Sequence, residues 1–377
     1  MDKLVYTAAT GMKAHMAAQA AIANNLANAT TTGFRADRIV FERLELKGGG
    51  ARLQARAPAS EELTDFDRTP GARISTGRNL DVAVQGAPAA SASAVFEAYW
   101  NNPLARPVRR LSLRPGERSL ARLRRRLERV AASAGAQPCL ERALATNHRR
   151  ARTLSIDDDA IRIVSDPPEK ARGLAGSEVA PVIEAMLNGA RREALLVSPY
   201  FVPGETGVAR LVAMARAGVR VSVITNSLAA TDVVAVHAGY ARYRRRLLEA
   251  GIELFEVKQS GPKRAGVFGS GSASLHTKAM VVDDGPCFVG SFNLDQRSRN
   301  LNTEMGVLVR HAPMARLMRR QHRWLSDGTR SWRVRLEGGR LCWEDGETTH
   351  RGAEPGASLL RRVLAGVTAL LPIESQL

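Results

Sequence analysis

The chain reads as an α/β fold with a largely parallel or mixed sheet, preceded by a long N-terminal helix and a short β-rich segment. Two observations carry this reading. Between residues 194 and 289, short apolar runs alternate with longer amphipathic ones, and Gly218 and Gly251 close the longer runs. That is the pattern of strands joined through helices. Far ahead of that stretch, Leu4, Ala8, Met12, Met16, Ala20, Ala23 and Leu26 recur at helical spacing over residues 2–28, while Leu80, Val82 and Val84 alternate with Asp81 and Ala83.

Taken in order, the N-terminal helix ends in Asn, Thr and Gly chemistry around Asn28 and Gly33. Gly48-Gly49-Gly50, a polar stretch to Asp67 and the turn Thr69-Pro70-Gly71 lead to the strand at residues 80–84. An arginine-dense stretch, residues 109–129, becomes helical only after Pro115-Gly116, and Leu120, Leu123 and Leu127 make it an amphipathic, surface-lying helix with a solvated basic face. Residues 194–202 are expected as a buried strand, 208–217 as a helix, 219–225 as a strand and 230–250 as a helix. Strands follow at 252–257, 278–282 and 287–289. The apolar tract at 363–373 is about half the length a bilayer-spanning helix requires, and it reads as a packed C-terminal helix.

A chain of 377 residues, 44% of them hydrophobic, is long enough for two domains with a real core. Its net charge of +18 favours anionic partners: phosphate groups, nucleic acid or an anionic lipid surface. Aromatic residues make up only 5% and do not interleave a basic stripe, which disfavours nucleic acid. Cys139, Cys287 and Cys342 lie far apart, with no metal-ligand spacing. Neither a metal nor another cofactor is expected. The opening residues lack the compact apolar core of a signal peptide.

The chemistry concentrates in residues 274–304. In Leu275-His276-Thr277-Lys278, extended chain points the imidazole of His276 and the ammonium of Lys278 the same way. Neutral imidazole is nucleophilic near neutral pH, and a lysine can balance charge building on phosphate oxygens. Asp283, at the far end of the apolar run, can balance buried positive charge or orient a neighbour. Gly290 allows close backbone approach, while Ser291 and Asn293, two apart, can donate to phosphate oxygens. Glu304 follows, placed to hold the imidazole in the tautomer that leaves one nitrogen able to attack.

This set resembles the second HKD motif of the phospholipase D superfamily. The runs Ser198-Pro199-Tyr200-Phe201, Asn226-Ser227-Leu228, His237-Ala238-Gly239-Tyr240 and Leu294-Asp295-Gln296-Arg297-Ser298 narrow the likeness to the C-type cardiolipin synthase branch, from about residue 95 onward. The resemblance implies one and a partial half of a phospholipase D-type mixed-sheet α/β sandwich. It further implies a phosphatidyltransferase acting on anionic, phosphatidylglycerol-like phospholipid through a phosphohistidine, with no required metal, peripheral on the cytoplasmic side of a bacterial inner membrane. His276, Lys278 and Asp283 take the motif's catalytic positions.

The first 86 residues differ. Met1-Asp2-Lys3-Leu4-Val5-Tyr6, Ala23-Asn24-Asn25-Leu26-Ala27-Asn28 and residues 76–86 resemble the N-terminus of a flagellar basal-body proximal rod protein, which implies rod partners and a basal-body location if that segment functions. No helix that would close a rod bundle is read at residues 355–377. The expected organisation is a rod-like segment at 1–86, a junction at 87–94, the remnant of a first phospholipase D half at 95–165 and a second half at 166–377.

Members with this architecture carry two His-x-Lys motifs, one histidine attacking phosphorus and the other protonating the leaving alkoxide. Of the seven histidines here, only His276 has a lysine two residues on. Three readings follow: an enzyme crippled by loss of its first motif, a transferase, nuclease or hydrolase completed by homodimerisation, or a rod component.

Overall fold

The computed structural model describes residues 37–44, 59–66, 87–106, 117–131, 154–259 and 275–371. The helix expected over 2–28 and the strand expected at 80–84 lie outside them. Two compact units divide the chain, one of residues 1–77 and 133–151, the other of residues 78–132 and 152–377. In the first, β1 (Asp37–Leu44) and β2 (Ala59–Phe66) pair antiparallel, with Asp37 opposite Phe66. Neither strand was read from the sequence.

The second unit is built on a ten-stranded mixed sheet in the order β14-β13-β12-β7-β6-β4-β8-β9-β11-β3. Its centre holds β4 (Glu193–Val197), β6 (Arg220–Asn226) and β7 (Glu253–Val257), which run parallel because α4 (Gly204–Arg216) and α5 (Val234–Glu249) carry the chain back between them. The other side of β4 is antiparallel: β8 (Lys278–Val282), β9 (Pro286–Gly290), β11 (Met305–Arg310) and β3 (Ile161–Ser165). β12 (Ser331–Glu337), β13 (Arg340–Glu344) and β14 (Thr349–Arg351) extend the opposite edge.

Alternation along the central strands builds two cores. Leu196, Val221, Val223, Met280 and Val282 meet α3 (Val179–Asn188), α4 and α5 on one face, whereas Leu195, Val197, Ile224, Ala279 and Val281 meet α7 (Ala312–Leu325) on the other. Both faces are covered, so β4 and β8 read as continuous apolar runs. Each fully buried aliphatic side chain contributes about 1.5–3 kcal/mol.

Three expectations shift. The strand expected over 194–202 is two pieces, β4 and β5 (Phe201–Val202), because Pro199 has no N–H for a ladder and the chain turns there. β5 pairs instead with β10 (Leu294–Asp295), in parallel. Residues 87–94, expected as a junction, form the first part of α1 (Ala87–Trp100). β3, on the remnant side of the boundary expected at 165, is an edge strand of the main sheet. The arginine-rich helix, α2 (Glu117–Ala131), begins just after Pro115-Gly116 as read.

At the C-terminus α8 (Leu359–Ala369) docks beside α5, with Leu364 and Ala365 against Leu228 and Val234. Arg361 turns inward to donate to the carbonyls of Leu228 and Thr231. The opposite side of α8 exposes Leu359, Leu360, Val363, Val367 and Leu370. No helix among the described residues is long and apolar enough to cross a membrane.

A fully buried ion pair fastens the β3 end of this unit. Lys170 Nζ lies 2.5 Å from Asp166 Oδ2 and donates to Ser298 O at 2.7 Å. Asp166 also accepts from Ser177 Oγ and the N–H groups of Glu178, Val179 and Glu304. Its own backbone bonds Glu304 O, and its carbonyl accepts from Tyr99 of α1. Burial pushes the Asp166 carboxyl up, but Lys170 and these N–H groups outweigh that and hold it below the usual range. A carboxyl depressed on folding stabilises the fold above the ordinary carboxylate range and ceases to do so as pH falls through its folded value.

Lys170→Met is therefore expected to cost about 3–5 kcal/mol of unfolding free energy in urea titration. It should also flatten the acid limb of stability against pH. A cost under about 1 kcal/mol would show that the pair is not a structural centre.

Candidate active site

β8 begins at Lys278 because residues 260–277 carry few apolar side chains until Leu275, and the run Ala279, Met280, Val281 and Val282 that follows is wholly buried. Lys278 is 6% exposed, while the His276 ring lies out at the surface. The lysine reaches back along its own strand. Its Nζ donates to His276 O at 2.7 Å and lies 3.2 Å from His276 Nδ1. The expected juxtaposition of imidazole and ammonium is thus present.

Carboxylates surround the lysine. Burial lowers its pKa, and Glu304, Asp295 and Asp232 pull the other way. Asp295 caps α6 (Gln296–Asn300) by accepting from Ser298 N at 2.6 Å, and burial pushes its carboxyl up. Asp232 accepts from Tyr200 Oη at 2.9 Å. Glu304, 5% exposed, receives Ser298 Oγ at 2.8 Å on one oxygen and Ser291 Oγ on the other. The Ser291 proton is committed to Glu304 in this state rather than pointed at a ligand.

Asn293 behaves differently. Its Oδ1 is buried and has no hydrogen-bond partner, a situation that costs about 1–3 kcal/mol until a ligand or a flip of the amide relieves it. Its backbone N–H donates to Ser298 Oγ at 3.2 Å. Gly290 is required where it stands: a Cβ there would lie 2.5 Å from Met305 O and 2.7 Å from Gly306 Cα. Close approach of β9 and β11 is what brings Ser291 to Glu304.

Comparison with known proteins now bears on this geometry. Residues 183–325 match the family described as cardiolipin synthase, PLD-like domain. This part of the chain is thus similar to a phospholipase D-like domain. Residues 5–35 match the flagella basal body rod protein family and lie outside the described residues. The chain is 38% identical over 240 residues to cardiolipin synthase C of Escherichia coli, covering 60% of this chain and 50% of that protein. A Helicobacter pylori protein of uncharacterized function is 28% identical over 307 residues, covering 78% and 60%. The chain thus spans half to about three fifths of the length of these relatives. Among solved structures, the phospholipase D family member Nuc from Salmonella typhimurium is 19% identical, covering 46% of this chain and 97% of that one, with a TM-score of 0.35.

The six residues singled out from sequence do not all meet. His276, Lys278, Ser291, Asn293 and Glu304 share the end of the sheet where β8 begins. Asp283 does not. It stands beyond the far end of β8, about 16 Å from Lys278 along the strand. There it adopts φ +47 and accepts from the N–H groups of Arg191, Arg192 and Glu193 at 2.8–2.9 Å. Burial raises its pKa, and those three N–H groups overcome this and lower it. Its place is to fasten the β8–β9 turn to the start of β4.

Residues absent from the sequence-based set also shape the site. Ser298, Asp295, Asp232, Tyr200 and the Asp166–Lys170 pair hold its other members; Ser298 and Asp295 do so through bonds within six residues, whereas Tyr200 to Asp232, Lys170 to Ser298 and Glu304 to Asp166 join segments that spacing could not connect. His237, Glu256 and Glu354 bring donor atoms within 4.8 Å of one another, the closeness a metal ion would need. Arg244 already fills that position, 3.2 Å from Glu256, 3.0 Å from Glu354 and 2.9 Å from His237 Nε2.

Asp283→Ala should lower stability by about 1–3 kcal/mol in thermal or urea melts, and the NMR titration of the His276 ring should not move. Movement of that titration would return Asp283 to the chemistry.

Proposed function

We propose that residues 275–304 are one half of a phosphodiester-transfer site that acts on anionic, phosphatidylglycerol-like phospholipid through a phosphohistidine at His276. The observation that carries this is the Lys278 ammonium 3.2 Å from His276 Nδ1, at an end of the sheet lined by carboxylates and by the unpartnered Asn293 amide. The match of residues 183–325 supports the reaction class.

In this resting arrangement Lys278 offers only protons, so Nδ1 presents its lone pair to the lysine. A phosphate drawn in by Lys278 takes the ammonium away from Nδ1. The imidazole proton then moves to Nδ1, and Nε2 attacks phosphorus. The P–O bond to the leaving group breaks as the P–N bond forms, and the departing alkoxide needs a proton. Among the seven histidines none but His276 has a lysine two residues on, so no second motif in this chain supplies that proton. Turnover on a natural lipid is therefore crippled unless a second chain brings the other histidine.

The exposed apolar side of α8 and the net charge of +18 support peripheral attachment to an anionic membrane, which this reading places on the cytoplasmic face. The match at residues 5–35 supports a second reading, a rod component of the flagellar basal body in which the phospholipase D-like domain is carried along. Incorporation of the protein into isolated basal bodies would favour it.

An aryl phosphodiester whose nitrophenolate departs without a proton bypasses the missing acid. With it, the chain should release nitrophenol and accumulate an acid-labile phosphoenzyme with the label on His276; His276→Ala should abolish both. Label on another residue would sink the assignment.

A further inference from the structure

The nucleophile sits where the sheet is interrupted. β4 lies between β6 and β8, and its antiparallel register with β8 ends with Val197 opposite Ala279. Beyond Val197, β4 turns away through Ser198-Pro199-Tyr200 and continues as β5 beside β10. The peptide that precedes β8, Leu275 and His276, thus runs past the point where β4 stops pairing. Its position is set in part by Lys278, which donates to His276 O, and in part from β6.

The last residue of β6 reaches across that interval. Asn226, 2% exposed, donates from Nδ2 to Leu275 O at 3.1 Å and accepts Leu275 N–H on Oδ1 at 3.1 Å. One side-chain amide makes the pair of bonds that a neighbouring strand would otherwise make to this residue. Asn226 is itself held. Its backbone pairs with Val257 of β7, and its carbonyl accepts from His237 Nδ1 at 3.2 Å, which requires the proton on Nδ1 because a carbonyl can only accept.

We propose that Asn226 is a positioning residue for His276. It substitutes for the stretch of β4 that turns away and fixes the peptide from which the imidazole projects. The proposal rests on the reading of His276 as nucleophile, but the bonds it invokes do not require turnover. Asp in this place would keep an acceptor for Leu275 N–H and lose the Nδ2 donor, so the role asks for a group that both donates and accepts.

The test uses the full chain labelled with 15N-histidine, with Asn226→Ala, which removes both bonds, and Asn226→Asp, which keeps one. His276→Asn assigns the His276 ring signals. In Asn226→Ala the His276 signals and their titration midpoint should move while the other histidines and the melting temperature hold. On the nitrophenyl diester the rate of the first nitrophenol release should fall about 100-fold, the cost of a reacting group displaced by about 1 Å. Asn226→Asp should show a smaller change of the same kind. Unmoved His276 signals in a folded Asn226→Ala chain overturn the proposal. So does failure of both variants to fold, which would make Asn226 a residue of the fold alone. A wild-type chain without any nitrophenol release refutes the nucleophile reading, and the NMR comparison then still decides whether Asn226 positions the ring.

Discussion

The buried Lys170–Asp166 pair is the constraint on which this end of the molecule depends. Both side chains are removed from water, and an ion pair so placed is tolerated only when every remaining lone pair and proton finds a partner. Here the carboxylate also takes the first N–H groups of α3, a place of favourable dipole for an anion, and the N–H of Glu304. The lysine takes Ser298 O, and the Asp166 carbonyl takes the Tyr99 hydroxyl. Edge strand, helix start, α1 and two site residues are joined at one point. The segment around Tyr99 is thereby part of the bracing behind Glu304.

On the opposite side of the site, rigidity comes from the way the chain leaves the sheet. Pro199 ends the β4 ladder, and what remains at the mouth of the sheet is polar: Asn226 and Ser198 bond backbone with their side chains, and Ser298 Oγ accepts from Asn293 N–H and donates to Glu304. Lys278 sits where burial disfavours its charge and three carboxylates favour it. Its ammonium donates to His276 O and makes no ion pair within salt-bridge distance among the described residues. The site is therefore held from two directions, by Asp166 through Glu304 and by Asn226 through Leu275, with His276 and Lys278 between them.

Much of this was legible beforehand, and the exceptions have physical causes. β8 was read to the residue because an unbroken apolar run is bounded by Lys278 and Asp283. The expected strand over 194–202 was too long because periodicity cannot show that Pro199 terminates the ladder on one strand and leaves Phe201 to pair with Leu294. β12 alternates Val334 and Leu336 with arginines ahead of Gly338-Gly339, a hairpin signal that the reading passed over. Asp283 was placed in the chemistry by its motif, whereas its carboxylate serves three N–H groups at the other end of the strand. Asn226, Asp166 and Lys170 could not be assigned these roles from local pattern: apart from the four-residue step between Asp166 and Lys170, the bonds that define them reach 49 to 138 positions along the chain.

On the proposed reading, a single His-x-Lys motif can begin phosphoryl transfer but needs a second acid to release an alkoxide. The most direct measurement is the specific activity of the purified chain on phosphatidylglycerol vesicles across a range of protein concentrations, with the mass of the active species followed by light scattering. The account predicts no turnover from a monomer and any activity confined to a species of at least two chains, rising with concentration. Concentration-independent turnover by a strictly monomeric species would contradict it.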